Sequence, residues 1–220
     1  MKKFNLIILS KDRACQVDLL LRSIEKYFYN YKSHSITVLY EATNNRFDNS
    51  FKILSSLYPN ILIQKRKANL KEQLLDVINP SSAYSIFLHD IYLFRSSFSL
   101  EDLEDNTYLS IRIKKQKGNW RYPIELNGQV FKTKEIGRTI LLSDFSSFEE
   151  LEDCVKNDMP DCEIVCSETP KIIPILDEEG LGTDYLNDMY LTGKRIAMRD
   201  ISLEATFGQM DFSLYKSRIK

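Results

Sequence analysis

Short apolar runs alternate with stretches whose apolar residues recur every three or four positions through the first ninety or so residues, and that alternation leaves few architectures open. Residues 6–9 form a continuous apolar run of the kind found in strands covered on both faces. Ser10, Lys11 and Asp12 then supply cap-type residues, and Val17, Leu20, Leu21, Ile24 and Phe28 follow at helical spacing. Residues 36–40 predict a second strand, 48–57 a helix stopped by Pro59, and 61–64 a third strand. A third helix over 70–78 and a fourth strand over 86–88 complete the series. Strands alternating with helices predict an α/β architecture, a parallel sheet with right-handed crossovers. With the first strand near the middle and the fourth beside it, the tips after Leu9 and Leu88 face one crevice. Ser10, Lys11, Arg13, Glu41 and Asp90 then share a neighbourhood despite their separation in sequence.

The second half is less regular. Residues 108–113 alternate like a strand, and 129–132 form another after the Asn127-Gly128 turn signal. Residues 148–155 read as a helix capped by Ser146 or Ser147, with Glu149 and Glu150 in its first turn. Short strands are expected at 163–166 and 172–175, and a last helix at 184–191 closed by Gly193. With 220 residues, 7 Gly, 6 Pro and no linker-like stretch, the chain is expected to form one domain over 1–220.

A hydrophobic fraction of 43% and a charged fraction of 28% are those of a soluble globular protein. The net charge of −1 argues against a nucleic-acid binder. No apolar run approaches a membrane span, and the start of the chain is too short in apolar residues for a signal peptide. The expectation is a cytoplasmic protein whose four cysteines, Cys15, Cys154, Cys162 and Cys166, are reduced. Cys162 and Cys166 lack a nearby His, so buried thiols are favoured over zinc.

Asp90 is the first place to look for chemistry. Ligands of open parallel sheets sit outside the carboxyl ends of the strands. An acid there can hold a divalent cation against a diphosphate or accept from a ribose hydroxyl. Ser10-Lys11-Asp12-Arg13 lies at a strand-to-helix junction, where backbone N–H groups and two cations suit a phosphate, the alternative being a capped helix with solvated charges. No Gly-rich fingerprint follows the first strand, which leaves a Rossmann dinucleotide site and a P-loop without support. His89, one position before Asp90, would point to the other face of a strand. Trp120, Tyr122 and Tyr108 are candidates for an aromatic platform under a sugar ring, with plain core packing as the alternative. Glu125, Asp144 and Glu168 are the candidate general bases, unranked. The basic run 114–117 could meet phosphates or an anionic membrane surface, or simply be solvated. No Gly-x-Ser-x-Gly elbow is present.

The opening block Leu6-Ile7-Ile8-Leu9-Ser10-Lys11-Asp12-Arg13-Ala14-Cys15-Gln16-Val17-Asp18-Leu19-Leu20-Leu21-Arg22-Ser23 resembles the first strand and helix of bacterial glycosyltransferase-like proteins with the GT-A fold. Tyr40-Glu41-Ala42-Thr43 and Phe87-Leu88-His89-Asp90 are similar to that group's second-strand end and metal-motif strand. Tyr122-Pro123-Ile124-Glu125-Leu126-Asn127-Gly128-Gln129-Val130-Phe131 and the block from Leu186 to Ile196 resemble its later segments. The resemblance implies a nucleotide-diphospho-sugar transferase acting on a glycan or other hydroxyl acceptor, in surface polysaccharide synthesis. It implies a nucleotide-binding half over 1–95, using Ser10, Arg13, Tyr40, Glu41 and Asp90, to which Lys11 is added on charge grounds, and an acceptor half over 96–220, where Trp120 and Tyr122 are the candidates. It implies Mn²⁺ or Mg²⁺ at Asp90, with peripheral membrane association possible for such an enzyme. The family's motif carries two or three acids, whereas here Tyr92 stands in place of the second and Gln129 stands where a His is expected. Three outcomes stay open: a weak-metal enzyme, a metal-independent one in which Lys11 and Arg13 supply the charge, or a fold that has lost catalysis and serves as a nucleotide-sugar-binding or interaction protein.

Overall fold

The first strand, β1 (Phe4–Lys11), is buried along its whole length except at Lys11, as an unbroken apolar run requires of a strand covered on both faces. The computed structural model describes residues 3–99, 108–114, 124–159, 164–167, 169–174, 182–198 and 214–216. After β1 come α1 (Ala14–Tyr27), β2 (Ser35–Glu41), α2 (Asn45–Leu57), β3 (Leu62–Lys65), α3 (Leu70–Val77) and β4 (Tyr84–His89). The expected alternation is present. β1 pairs in parallel with β2 on one side and β4 on the other, and β2 pairs in parallel with β3.

The second half adds β5 (Tyr92–Phe94), β6 (Tyr108–Lys114), β7 (Gln129–Lys132), α4 (Thr133–Leu142), α5 (Phe148–Asp158), β8 (Ile164–Ser167), β9 (Ile172–Pro174), α6 (Thr183–Leu191), β10 (Lys194–Ile196) and β11 (Leu214–Lys216). β7 joins β4 antiparallel, so both halves share one seven-stranded sheet in the order β3-β2-β1-β4-β7-β6-β8. The Asn127-Gly128 turn before β7 forms as its residues dictate. Gly128 has φ of +72°, and a Cβ there would lie 2.9 Å from Ile172 Cδ1. β5 and α4 were not expected from the sequence. β5 is three residues long and exists by pairing with β9.

Pleat alternation divides the core. Leu6 and Ile8 face a cluster under α1 and α2 with Val17, Leu20, Phe51 and Leu54. Ile7 and Leu9 face the other layer, with Leu74 of α3, Ile140 of α4 and Leu151 of α5. This arrangement follows from the two-residue period of side-chain direction.

One charged cluster lies inside the first layer. Asp18, fully buried on α1, accepts hydrogen bonds from Arg22 Nε at 3.0 Å, Arg195 Nε at 2.9 Å and the Tyr58 hydroxyl at 3.0 Å. Arg195 sits on β10, and Arg22 also donates to the Ile196 carbonyl at 2.6 Å. A buried carboxylate is tolerable only when paired and hydrogen-bonded, and this one fastens β10 to α1. No helix among the described residues is long and apolar enough to cross a membrane.

Candidate functional site

Asp90 follows the last residue of β4, and its backbone N–H donates to the Leu9 carbonyl at 3.1 Å, tying the two strand tips together. Its carboxylate is nearly buried, at 3% exposure. Oδ2 accepts from the Ser10 hydroxyl at 2.7 Å and from the Lys11 backbone N–H at 3.3 Å, while Oδ1 accepts from Arg13 Nη1 at 3.4 Å. Burial raises the Asp90 pKa above the ordinary carboxylate value, opposed by the Ser10 bond and the Arg13 charge.

The loop carrying these donors is held in an unusual shape. Asp12 has φ of +62°, a left-handed conformation in which Asp is one of the less disfavoured residues. Its backbone N–H donates to the Glu41 carbonyl at 3.0 Å, and its Oδ1 accepts from the Thr43 N–H at 2.8 Å. The cap-type residues therefore serve other ends than the sequence pattern suggested. α1 starts behind Arg13 with no side-chain cap, because Ser10 is committed to Asp90 and Asp12 to Thr43.

A cleft of about 700 Å³ opens over this junction. Ser10, Lys11, Arg13, Glu41 and Asp90 all line it, together with Arg66, His89, Phe148, Glu149 and Asp184. Glu41 and Arg66 form an ion pair, and the Arg66 guanidinium also lies 5.6 Å from the centre of the Phe148 ring. His89 reaches the same cleft as Asp90, against the opposite-face expectation, since Asp90 has left the strand for a turn. A second cavity of about 160 Å³ adjoins the first, sharing Leu9, His89, Phe148 and Glu149 and extending to Asn127, Glu152 and Asp153.

Other sequence-based candidates sit elsewhere. Tyr40 is turned to the opposite face of β2, stacked on Phe51 at 4.0 Å between centroids, with its hydroxyl donating to Asp48 at 3.2 Å. Alternation along β2 dictates this, since Leu39 and Glu41 take the cleft side. Glu125 is ion-paired with Arg112 away from the cleft lining, and Asp144 is a fully exposed residue 3.7 Å from Lys71. Neither borders the cleft. Tyr108 packs edge-on against Phe131 at 6.2 Å, and Tyr92 is buried with its hydroxyl accepting from Arg112 at 3.0 Å. Glu168, Trp120 and Tyr122, like Cys162 and the 115–117 part of the basic run, lie outside the described residues.

Glu149 and Asp184 were not singled out from the sequence, yet each lies in the first turn of a helix that opens on the cleft. Glu149 is held below the usual carboxylate range by its own backbone N–H and the Ser147 hydroxyl, with smaller contributions from His89 and Arg66. An acid in the first turn of a helix was legible as a dipole partner. That α5 starts against the β1 tip was not.

A divalent cation fits poorly at Asp90 as the described residues stand. Hard cations take six or more oxygen ligands, but Asp90 already accepts from Ser10, Lys11 and Arg13. Among the described residues, no group of three His, Cys, Asp or Glu side chains is gathered closely enough to hold an ion.

This sheet order, with a parallel first half joined to an antiparallel β7, is a GT-A-like fold. A mannosyltransferase from Pyrobaculum calidifontis, solved with GDP-Man and Mn²⁺, superposes with a TM-score of 0.60 over 80% of this chain and 58% of its own, at 12% identity. TarS of S. aureus, in complex with UDP-GlcNAc, gives 0.55 over 87% of this chain and 65% of its own, at 14% identity. A 4-diphosphocytidyl-2C-methyl-D-erythritol synthase from Anaerococcus prevotii gives 0.52 over 86% of this chain and 96% of its own, at 15% identity. By sequence, the bifunctional glycosyltransferase pgtA of Dictyostelium discoideum is 28% identical over 105 residues, which is 44% of this chain and 14% of that protein. The chain thus spans a small part of pgtA and little more than half of the mannosyltransferase. No family model matches the chain.

Proposed function

We propose that the protein is a glycosyltransferase that moves a sugar from a nucleotide-diphospho-sugar to a hydroxyl of a glycan acceptor, in assembly of a surface polysaccharide. The observation that carries this reading is the Asp90 junction: a buried carboxylate organising Ser10, the Lys11 N–H and Arg13 at the mouth of a 700 Å³ cleft. The stretch matching a glycosyltransferase and the nucleotide-sugar complexes among the fold neighbours support it.

The division of labour follows from the charges. Lys11 and Arg13 face the position for a diphosphate at the β1 tip, and Glu41 with Arg66 offers an acceptor and donors beside the apolar patch of Leu39, Phe47 and Phe148, suited to a base. The acids Glu149 and Asp184 border the same cleft from α5 and α6. Glu149, ionised and next to the second cavity, is the candidate to take the proton of the attacking hydroxyl. The departing nucleoside diphosphate gains negative charge, which cations aimed at its oxygens stabilise.

The near-complete coverage of the synthase favours a second reading, nucleotidyl transfer. Product analysis separates the two: sugar transfer releases a nucleoside diphosphate, nucleotidyl transfer releases pyrophosphate. A panel of nucleotide sugars in thermal unfolding tests the proposal first, since a true donor stabilises the folded chain by mass action. No stabilisation by any donor would end it, and tight binding without turnover on any acceptor would mark a nucleotide-sugar binder.

A further inference from the structure

We infer that the cleft neutralises its diphosphate with Arg13 and Lys11 in place of a divalent cation, an inference that rests on the nucleotide-sugar reading above. The place a cation would take beside Asp90 is filled by protein donors. The Ser10 hydroxyl and Lys11 N–H saturate Oδ2, and the Arg13 guanidinium faces Oδ1. The Arg13 side chain is 41% exposed, so its outer N–H groups remain open to the cleft while its inner edge is anchored. A planar guanidinium with donors on several sides suits two phosphate oxygens at once. Lys11 lies on the same rim, and no carboxylate among the described residues pairs with its ammonium.

The second acid that would complete a metal shell is Tyr92, and its hydroxyl is turned inward onto Arg112. Of the cleft's other acids, Glu41 pairs with Arg66, Asp12 accepts from Thr43 and Glu149 is held by the start of α5, while Asp184 lines the cleft from the first turn of α6. Asp90 is thus a positioning residue. It holds Arg13 and the β1 loop in place and does not serve as an ion ligand.

The test is calorimetric titration of the full chain with UDP and with GDP, in EDTA and in Mn²⁺, alongside electron paramagnetic resonance of Mn²⁺ mixed with the protein. The expected result is binding of one nucleotide with equal affinity in EDTA and Mn²⁺, and an unchanged free Mn²⁺ signal. Arg13→Ala should lose roughly tenfold to a hundredfold in affinity in EDTA, the range for a charge-assisted contact. Asp90→Asn should weaken binding in EDTA as well, whereas an ion ligand would matter only in Mn²⁺. Thermal unfolding of each variant checks that it is folded. Binding that requires Mn²⁺ in the parent chain, or affinity in EDTA that survives both substitutions, would overturn the inference while leaving the transferase reading intact. Binding of neither nucleotide in either condition would overturn both.

Discussion

Replacing Asp18 by Asn removes one negative charge from a fully buried position and leaves two guanidiniums facing a neutral amide. The Arg22 and Arg195 side chains are themselves only 13% and 16% exposed, so water cannot take over the lost role. The Asn oxygen can still accept from one donor, but its NH₂ must then point at another N–H or at the Tyr58 hydroxyl. Breaking a buried ion pair by removing one partner costs about 3–5 kcal/mol. For a chain of this size each kcal/mol lowers Tm by roughly 2–4 °C, so Asp18→Asn should melt on the order of 10 °C below the parent. Urea unfolding measures the loss directly, as a shift in midpoint at constant slope. A second substitution, Arg195→Met, should cost far less when Asp18→Asn is already present than it does alone, because the two groups act as a unit. A loss under about 1 kcal/mol for Asp18→Asn, or strict additivity of the pair, would refute the view that this cluster is a charge-compensated fastener.

Further outcomes are expected at the cleft and in the core. Glu149→Gln should lower turnover roughly 10²- to 10⁴-fold while nucleotide affinity measured by titration stays unchanged. Burial holds Asp90 above its ordinary value of 3.8, so just above that pH the native state carries the extra proton and stability falls as pH rises. The stability of Asp90→Asn relative to the parent should therefore increase with pH across that window, read from urea midpoints. Burial pushes the Cys15 thiol up to about 12, so peptide mapping after iodoacetamide should find it unmodified in the native protein and labelled after unfolding, with the partly exposed Cys154 labelled before it.

The first half of the fold was legible because β1, β2 and β4 are buried on both faces and its helices carry an apolar stripe. The third, fifth and sixth helices likewise start close to where Leu70, Phe148 and Asp184 led one to expect. α4 is hard to read from the sequence because Ile136 and Ile140 are a short periodic signal interrupted by Gly137. At the cleft, the neighbourhood of Ser10, Lys11, Arg13, Glu41 and Asp90 followed from strand order. The orientation of Tyr40 followed from a parity that Glu41, if placed in the cleft, already fixed. Glu149 could not be ranked above Glu125 or Asp144 from sequence, because its position depends on how α5 lies across the tip of β1, a long-range packing outcome.

The left-handed Asp12 has a consequence for recognition. Because Glu41 and Thr43 lock the bend before any ligand arrives, the conformational entropy of shaping the β1–α1 loop is lost during folding, not at encounter. If the proposed diphosphate binds there, it would enter a site already rigid, at a speed set by diffusion and charge with little contribution from loop rearrangement.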